Sequence, residues 1–373
     1  MKKRLNILHI INSLRVGGAE TLLVNSLAPG GIQNQANNVL VYLQATSVLE
    51  ERVDKNVEVI CLNYTGLLSL PKTLLKLRKI IKDKEIDIVH SHLNPVSFYT
   101  HLVCPKQTPQ LHTIHIAYTM DNATPKLKLY LEKVLYLNKK STNVALLSKF
   151  TKDDFLSAIH FKGKYFILNN FVLDSFFRDK TCVYNAGYNK LKMVAVGRLD
   201  AQKNFKYLLE VFRHLKDKDI TLDIYGDGDI AAYEKEIKEL GVKIFMKGRH
   251  DNLAKVLPEY DLFIMPSKFE GFPLSVFEAM ASGIPLMLSD IPPLKSIVNE
   301  NAIYFELNNP EGTAKKITAV LQGEIDINKM AEKAQAYAAQ IAKRDIYINN
   351  LLCIYNELLN PSGNFVAETA TTV

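Results

Sequence analysis

Short apolar segments alternate with longer amphipathic segments along the whole chain of 373 residues. Segments such as LNILHII (5–11) and KMVAVG (192–197) have the length and the aliphatic content of buried strands. Segments such as 71–84 and 229–240 instead repeat their apolar residues at the spacing of a helix. This alternation is typical of βαβ units, so the sequence predicts an α/β fold with parallel sheets that carry helices on both faces.

The predicted strands are too many for one sheet, and a polar segment (178–190) separates them into two groups. We therefore predict an N-terminal Rossmann-like domain over 1–182 and a C-terminal one over 188–343. The helical segment at about 344–360 is expected to pack back on the first domain, and the tail 361–373 is expected to be flexible. The predicted strands are 5–11, 38–43, 57–62, 86–92, 111–116, 143–148 and 165–170, then 192–197, 220–226, 242–248, 261–266 and 284–289.

Charge is distributed unevenly between the two halves. Residues 1–180 contain 24 basic and 14 acidic side chains, and the remainder contains 22 basic and 25 acidic ones. The basic excess of the first half suits an anionic membrane surface or nucleic acid, and it is equally typical of a solvated lysine-rich face. Nucleic acid is the weakest of these interpretations, because aromatic residues are not interleaved with the basic ones.

Cysteine usage and hydropathy indicate where the protein works. The four cysteines are far apart and lack the spacing of a metal site, which suits a reducing cytoplasm. No apolar run reaches the roughly 18 residues that span a bilayer, and the start MKKRLNILHIIN is better explained as a first strand than as a signal peptide. We expect a cytoplasmic protein, with peripheral contact to the inner membrane face as one option.

Candidate ligand-binding residues follow the predicted strands, because open parallel sheets bind ligands at the carboxyl ends of their strands. Gly17 and Gly18 follow the first strand and precede a helix, so their backbone can approach an anion. Arg198 and Lys203 flank the turn after the first strand of the second domain, where two cations could hold a diphosphate. A plain tight turn and ordinary surface charges explain these residues equally well. Gly226 and Gly248-Arg249 each resemble an ordinary loop when taken alone.

The segment EGFPLSVFEAM (270–280) places one acid in a loop and a second inside the helix that follows. Pro273 suits the first helical turn, which would leave the amides before and after it free for a phosphate. Glu270 and Glu278 could each accept hydrogen bonds from pairs of hydroxyls. By spacing alone, one loop acid and one solvated helix acid is the commoner explanation.

Several motifs together resemble a known family. The segment 270–285 is similar to the E-x7-E signature of the retaining glycosyltransferase family 4, the "group 1" transferases of GT-B fold. The segments NSLRVGGAE (12–20), GRLDAQKN (197–204) and IYGDGD (224–229) resemble further motifs of the same family, in the same order. The resemblance covers nearly the whole chain and implies two Rossmann-like doubly wound domains that face each other across a cleft.

The resemblance also implies roles for individual residues. Arg198 and Lys203 would neutralise the donor diphosphate, Glu270 would bind hydroxyls of the donor sugar, and Glu278 would bind the ribose. His115 would lie near the transferred sugar, although His90, His92 and His112 compete for that role. By this resemblance the catalytic residues are His115, Arg198, Lys203 and Glu270. The donor-binding residues are Gly17, Gly18, Gly226, Arg249, Phe272, Pro273, Leu274, Ser275 and Glu278.

The expected reaction is transfer of a sugar from a nucleoside diphosphate sugar, with a UDP-sugar as the favoured donor, to a glycan or polyprenyl-linked acceptor. No cofactor and no metal are expected, and the resemblance implies retention of the anomeric configuration. The alternatives are a nucleotide-sugar 2-epimerase of the same fold and a non-catalytic subunit that binds sugar nucleotides.

The basic segment 70–84 is an amphipathic helix whose apolar positions (Leu70, Leu74, Leu77 and Ile81) fall on one face. Packing of that face against the core, with a solvated basic face outside, is the more common arrangement. The alternative is reversible docking on an anionic bilayer to reach a lipid-linked acceptor.

Overall fold

The protein is described by a computed structural model. Its chain divides into two units, one made of the residues up to Phe171 together with those from Arg344 on, and one spanning Val172–Lys343. The first unit therefore ends eleven residues before the predicted limit at 182, and the C-terminal helix is part of it. The predicted tail 361–373 lies outside the described residues. The structure describes residues 4–93, 96–115, 130, 142–179, 183–184 and 189–360.

Each unit contains one parallel sheet, as the alternating pattern predicts. The first has seven strands in the order β3-β2-β1-β4-β5-β6-β7, and the second has six in the order β10-β9-β8-β11-β12-β13. The strands of the first unit are β1 (Asn6–Ile11), β2 (Asn37–Tyr42), β3 (Glu58–Cys61), β4 (Ile88–His92), β5 (Gln110–Ile114), β6 (Thr142–Leu146) and β7 (Tyr165–Ile167). Those of the second unit are β8 (Leu191–Val196), β9 (Ile220–Tyr225), β10 (Ile244–Gly248), β11 (Leu262–Met265), β12 (Leu286–Ser289) and β13 (Ile303–Phe305).

Helices connect the strands, and every strand pairing recorded in the two sheets is parallel. The helices are α1 (Gly18–Ser26), α2 (Leu70–Asp83), α3 (Val96–Val103), α4 (Lys149–Ala158), α5 (Lys206–Arg213), α6 (Ile230–Leu240), α7 (Leu253–Val256), α8 (Leu274–Ala281), α9 (Pro292–Val298), α10 (Pro310–Leu321), α11 (Ile327–Ile341) and α12 (Arg344–Leu359). Short 3-10 segments cover Ile32–Asn34, Glu50–Arg52, Leu67–Ser69, Asp174–Phe176 and Leu257–Glu259.

The sequence sets where several of these helices begin and end. The side chains of Asp229, Asn309 and Asp326 each accept a hydrogen bond from a first-turn amide of α6, α10 and α11. Helix α6 ends at Gly241, whose φ of 63° is favourable only for glycine and a few polar residues. These local signals fix the helix ends and therefore the loops that follow the strands.

Helix α2 packs its apolar face into the core of the first unit. Leu77 and Ile81 are buried in one cluster with strand residues such as Leu8, and the partly buried Leu70 and Leu74 pack against the same cluster. The core-packing interpretation of segment 70–84 is therefore confirmed, and this apolar face is not free to enter a membrane. None of the helices among the described residues is both long enough and apolar enough to cross a bilayer.

Candidate active site

The order of the strands in the second sheet reverses between β8 and β11, which makes this a topological switch point. These strands are neighbours, but the chain leaves β8 toward β9 on one side and reaches β11 on the other. The loops that follow them therefore diverge, and such switch points are where open α/β sheets bind ligands. The loop after β8 contains Arg198 and Lys203, and the loop after β11 contains Glu270.

Lys203 and Glu270 form a buried ion pair across this switch point. The Nζ of Lys203 lies 2.7 Å from Oε1 of Glu270, and their side chains are only 14% and 5% exposed. The two loops are joined again by Gln202, whose backbone oxygen accepts from the Lys268 amide at 2.9 Å and whose Nε2 donates to the Phe269 carbonyl at 3.1 Å. Lys203 and Glu270, both predicted site residues, therefore lie together on two loops that hydrogen bonds of Gln202 connect.

Two residues that the sequence analysis did not single out shape the lysine loop. Asp200 accepts a hydrogen bond from the Lys203 amide at 2.9 Å through its side chain. Asn204 has a φ of 56°, a conformation that asparagine tolerates better than most residues, and its Nδ2 donates to the Pro266 carbonyl at 3.3 Å. An asparagine directly after the lysine is a signal that could have predicted this turn.

Glycines at the ends of β8 and β9 leave room for the same loop. A Cβ on Gly226 would lie 1.7 Å from the Gly197 carbonyl oxygen, and one on Gly197 would lie 3.1 Å from the Lys203 side chain. The Gly226 amide itself donates to the Gly248 carbonyl at 2.9 Å. The position of Gly226 is therefore explained by close backbone packing beneath the loop, in addition to any contact with a donor.

The two predicted arginines are exposed. The Nη2 of Arg198 lies 3.1 Å from Oδ2 of Asp200, and the Arg198 side chain is 70% exposed. The Nε of Arg249 lies 3.5 Å from Oδ1 of Asp251, again at the surface. Exposed pairs of this kind contribute little to stability, so both guanidinium groups can exchange their partners for a ligand at small cost.

Helix α8 begins beside the Lys203–Glu270 pair. Pro273 occupies the N-cap position, so the helix starts at Leu274, one residue later than predicted. The Pro273 carbonyl accepts hydrogen bonds from the Val276 and Phe277 amides. The amides of Leu274 and Ser275 have no acceptor within the described part of the chain, which leaves them available to an anion.

Phe272 is held in place by an aromatic contact within this segment. Its ring stacks on that of Phe277 with 4.4 Å between centroids and 13° between planes, and Phe272 is buried. This packing fixes the backbone just before α8, where the predicted phosphate contact would be made.

Glu278 lies one turn into α8 and is only partly exposed. Burial raises the pKa of its carboxyl from 4.5 to about 7, and the nearby positive charge of Lys203 opposes that rise. Since Lys203 also pairs with Glu270, one ammonium group acts on both acids of the E-x7-E segment. The site therefore combines a cation, two acids and free helix amides, which suits a diphosphate attached to hydroxyl-rich sugars.

In the first unit, Gly17 precedes α1 and Gly18 is its first residue, in the connection that follows β1 at the carboxyl edge of the sheet. Gly17 is the N-cap of α1 with extended backbone, so its φ does not require glycine. A Cβ there would lie 2.3 Å from Oε2 of Glu20, the end of a flexible side chain that can move aside, so the packing does not require glycine either. The glycine loop is thus at the predicted strand end.

His115 follows β5 in the same unit. The His115 ring centroid lies 5.8 Å from that of His92, whereas the His112 ring centroid lies 4.8 Å from that of His101. The two histidines therefore face opposite sides, as their spacing predicts. Burial lowers the pKa of His115 to about 4, which keeps the imidazole neutral at ordinary pH. His92 ends β4 and His115 follows β5, so both lie at strand ends, but His90 and His92 are buried whereas His115 is partly exposed.

Models of two protein families match the chain in succession. "Glycosyltransferase Family 4" matches residues 16–174, and "Glycosyl transferases group 1" matches residues 183–340. The two matches follow the division into units closely and together span most of the chain.

Known proteins resemble three quarters or more of the chain. An uncharacterized 41.2 kDa protein in the cps region of Klebsiella pneumoniae is 24% identical over 94% of this chain and 99% of its own. An Escherichia coli UDP-Gal:alpha-D-GlcNAc-diphosphoundecaprenol alpha-1,3-galactosyltransferase is 24% identical over 75% and 77% of the two chains. The crystal structure of Anabaena Alr3699/HepE in complex with UDP and glucose matches with a TM-score of 0.78 and 16% identity, over 95% of this chain and 100% of that one. The structural likeness shows that the fold is GT-B, which confirms the predicted fold class.

Proposed function

The chain belongs to the family 4, group 1 glycosyltransferases, and from that premise we propose that it transfers a sugar from a nucleoside diphosphate sugar with retention of configuration. The observation that carries the proposal is the Lys203–Glu270 pair at the switch point of the second sheet, 2.7 Å apart and buried. A cation and an acid held together there can receive the two ends of one donor, a diphosphate and a sugar.

Donor binding exchanges the partners of these charges. The Lys203 ammonium group leaves Glu270 and pairs with the β-phosphate. Glu270 then accepts hydrogen bonds from the sugar hydroxyls instead of from Lys203. The amides of Phe272, Leu274 and Ser275 add donors for the phosphates, and Glu278 accepts from the ribose diol. The existing ion pair therefore keeps both groups in place before the donor arrives, which lowers the cost of ordering them.

Breakage of the bond between the anomeric carbon and the phosphate oxygen leaves negative charge on the diphosphate. Lys203, Arg198 and the amides at the start of α8 stabilise that charge as it forms, which is the largest catalytic contribution expected here. These groups supply the positive charge that a metal ion supplies elsewhere, so we propose a metal-independent reaction.

The acceptor attacks on the face that the diphosphate leaves. The acceptor oxygen forms its bond to the anomeric carbon, the carbon–phosphate-oxygen bond breaks, and the acceptor proton passes to the departing phosphate. Glu270 is engaged with hydroxyls in this scheme and does not act as a nucleophile. His115, neutral because of its lowered pKa, contributes hydrogen bonds to the sugar rather than charge.

The names of similar proteins suggest the substrates. The Anabaena neighbour was crystallised with UDP and glucose, and the E. coli relative uses UDP-Gal and a diphosphoundecaprenol-linked acceptor. We propose a UDP-sugar as donor and a polyprenyl-linked or glycan acceptor, in the synthesis of a surface polysaccharide. The proposal also assigns substrate contacts to Gly17, Gly18 and His115 of the first unit.

A lipid-linked acceptor suggests that the protein docks on a membrane, and the structure restricts which residues can do so. The apolar face of α2 is in the core, but Leu67 and Leu68 just before it are 79% and 101% exposed, and Leu75 is 70% exposed. The exposed side chains of Lys72, Lys76, Arg78, Lys79 and Lys82 follow on α2. We propose that these leucines and basic residues contact the anionic lipid of the cytoplasmic leaflet.

Nucleotide binding and product analysis test the proposal. Thermal shifts with UDP, GDP and ADP and their sugars should identify one base, and Lys203→Met should remove the shift. With the matching donor and an acceptor extract, NMR of the product should show the anomeric configuration of the donor. An inverted product would reject retention, and an epimerised sugar released without acceptor would reject transfer itself.

A further inference from the structure

Three histidines converge in the interior of the first unit, and one of them, His92, lies beside His115 with 5.8 Å between ring centroids. His9 on β1 is paired in register with His90 on β4, and His92 lies two residues further along on the same face of β4. Each is at most 1% exposed. Their ring nitrogens offer three ligand atoms that all lie within 4.8 Å of one another.

The hydrogen bonds of His9 determine which of its nitrogens carries the proton. The Nδ2 of Asn38 donates to the Ala36 carbonyl at 2.9 Å, so the Oδ1 of Asn38 must be the group facing His9. That oxygen lies 3.1 Å from Nε2 of His9 and can only accept, so Nε2 is protonated. The Nδ1 of His9 therefore has a lone pair, and it is buried with no partner among the described residues.

His92 is more unusual still. Both of its ring nitrogens are buried and have no hydrogen-bond partner in the described ranges. Its ring centroid lies 4.2 Å from that of His90 and 6.0 Å from that of His9. A buried polar atom without a partner costs about 1–3 kcal/mol, so this arrangement indicates that something else binds the imidazole.

His90 already has the outer partners that a metal-binding histidine needs. Its Nδ1 lies 2.6 Å from the Tyr355 hydroxyl on α12, and its Nε2 lies 2.7 Å from the Thr113 hydroxyl on β5. Ligation needs only one of the two nitrogens. The hydroxyl at the other nitrogen would remain hydrogen-bonded and hold the ring in place. Metal-binding histidines in other proteins have outer hydrogen-bond partners of this kind.

We propose that His9, His90 and His92 bind one divalent transition-metal ion, with Zn²⁺ as the best-suited ion. Three imidazoles with an exogenous water as the fourth ligand form a normal zinc coordination sphere. Burial lowers the pKa of all three rings, so each is neutral and has a lone pair to donate. The ion would tie β1 to β4, the strand before the glycine loop and the strand that contains His90 and His92, and it would stabilise this unit.

Metal analysis of the whole protein tests the site directly. Tag-free protein is unfolded, refolded with one equivalent of Zn²⁺ or Co²⁺, and freed of unbound ion by gel filtration. We expect about one equivalent to remain bound, a higher unfolding midpoint, and in the cobalt form the visible absorption of a nitrogen-ligated four-coordinate ion. Retention of less than a tenth of an equivalent by the refolded protein would mean that only a buried water bridges these rings, and it would overturn the proposal.

Variants identify the ligands. His9→Gln and His92→Gln should each lower metal retention at least tenfold, whereas His160→Gln, which changes an exposed histidine of the same unit, should retain the full equivalent. Undiminished binding in both ligand variants would place the ion elsewhere and overturn the proposal. If a variant fails to fold, the wild-type measurement alone decides the outcome. Binding of nucleotides to the second unit is a separate measurement, so the metal site can fail without the proposed transferase activity failing.

Discussion

The ammonium group of Lys203 lies 2.7 Å from the carboxylate of Glu270, which is buried, and the Lys203 side chain is only 14% exposed. The two residues are 67 positions apart in the chain, and they meet because β8 and β11 are neighbours whose loops leave the same edge of the sheet. Removal of one partner from a pair of this kind strongly destabilises a protein, because the other charge remains buried without compensation. The ion pair therefore links the stability of the second unit to the geometry of the donor site.

Removal of Lys203 should affect stability and activity together. Lys203→Met leaves Glu270 buried without a counter-charge, so the free energy of unfolding of the protein should fall by about 3–5 kcal/mol. The loss of the cation should also lower kcat about 10²- to 10³-fold, because the leaving diphosphate loses its stabilising charge. Urea unfolding and a coupled assay of nucleotide release measure the two effects.

The double variant Lys203→Met/Glu270→Gln separates these effects. Without either charge, most of the lost stability should return while the activity stays low. Recovery of activity with stability would show that Lys203 acts through the fold alone and that its contact with the diphosphate is unnecessary.

The sequence predicts the fold and the location of Lys203 and Glu270 at one edge of the second sheet because both depend on local signals, but it does not predict that the two side chains form an ion pair. Strand periodicity locates the strand ends, and the strand-end rule then places these two residues at one edge. Arg198 was predicted at the same edge, but its side-chain partner, Asp200, is set by the shape of the loop. That shape depends on hydrogen bonds of Gln202 and Asn204 to the neighbouring loop, which no periodicity reveals.

The histidine cluster shows a second limit of sequence reasoning. His90 and His92 share a face because they are two apart on one strand, and this much is visible in the sequence. His9 joins them only because β1 pairs with β4 in one particular register. Register between distant strands is a tertiary property, so the sequence analysis treats His90 and His92 only as rivals of His115 and does not connect His9 with them.

Gly226 should not tolerate a side chain. In Gly226→Ala the new Cβ would meet the Gly197 carbonyl oxygen at 1.7 Å, a backbone atom that cannot rotate away. The ends of β8 and β9 must separate, so we expect a loss of about 1–3 kcal/mol in unfolding free energy and a raised KM for the donor. Thermal unfolding and donor saturation curves measure both quantities.

Gly241→Ala provides the control for this variant. Gly241 has a φ of 63° and open space around it, so alanine there costs about 1 kcal/mol of backbone strain without any clash. Its donor KM should be unchanged. An equal rise of KM in both variants would mean that the donor site responds to any loss of stability, and not to the contact between Gly226 and Gly197.

Leu67 and Leu68 should be required for membrane binding and not for folding. Their exposed side chains contribute little to the core, so Leu67→Glu/Leu68→Glu should change unfolding free energy by less than about 0.5 kcal/mol. In flotation with liposomes that contain acidic lipid, the bound fraction of the variant should fall severalfold, and salt should weaken binding of the wild type. Leu77→Ala, within the core, should instead destabilise by about 2–5 kcal/mol.

Val48→Glu is the matched control, because Val48 is an exposed apolar residue of the same unit outside this segment. It should leave flotation unchanged. If the double leucine variant floats as well as the wild type, or if neither salt nor lipid charge affects binding, the proposed membrane contact is wrong.

Glu278 should make the stability of the protein depend on pH. Its pKa is raised by folding from 4.5 to about 7, so the folded state disfavours the ionised carboxylate. The cost is absent below pH 4.5, grows as pH rises toward 7, and is complete above 7, where it amounts to at most about 3 kcal/mol. Glu278→Gln removes the charge, so it should stabilise the free protein at pH 8 and have little effect at pH 4.5.

Folding favours the protonated form of Glu278, whereas donor binding should favour the ionised form. Ribose hydroxyls donate hydrogen bonds best to an ionised carboxylate. In the wild type the affinity for the nucleotide should therefore rise as pH passes through about 7, and in Glu278→Gln it should be weak and lack this rise. Urea unfolding and calorimetric titration at pH 5.5, 7 and 8 measure both properties. Glu300→Gln, at an exposed acid of the same unit, should change neither. A Glu278→Gln variant that is less stable than the wild type at pH 8 would show that the carboxylate has a stabilising partner in the folded protein.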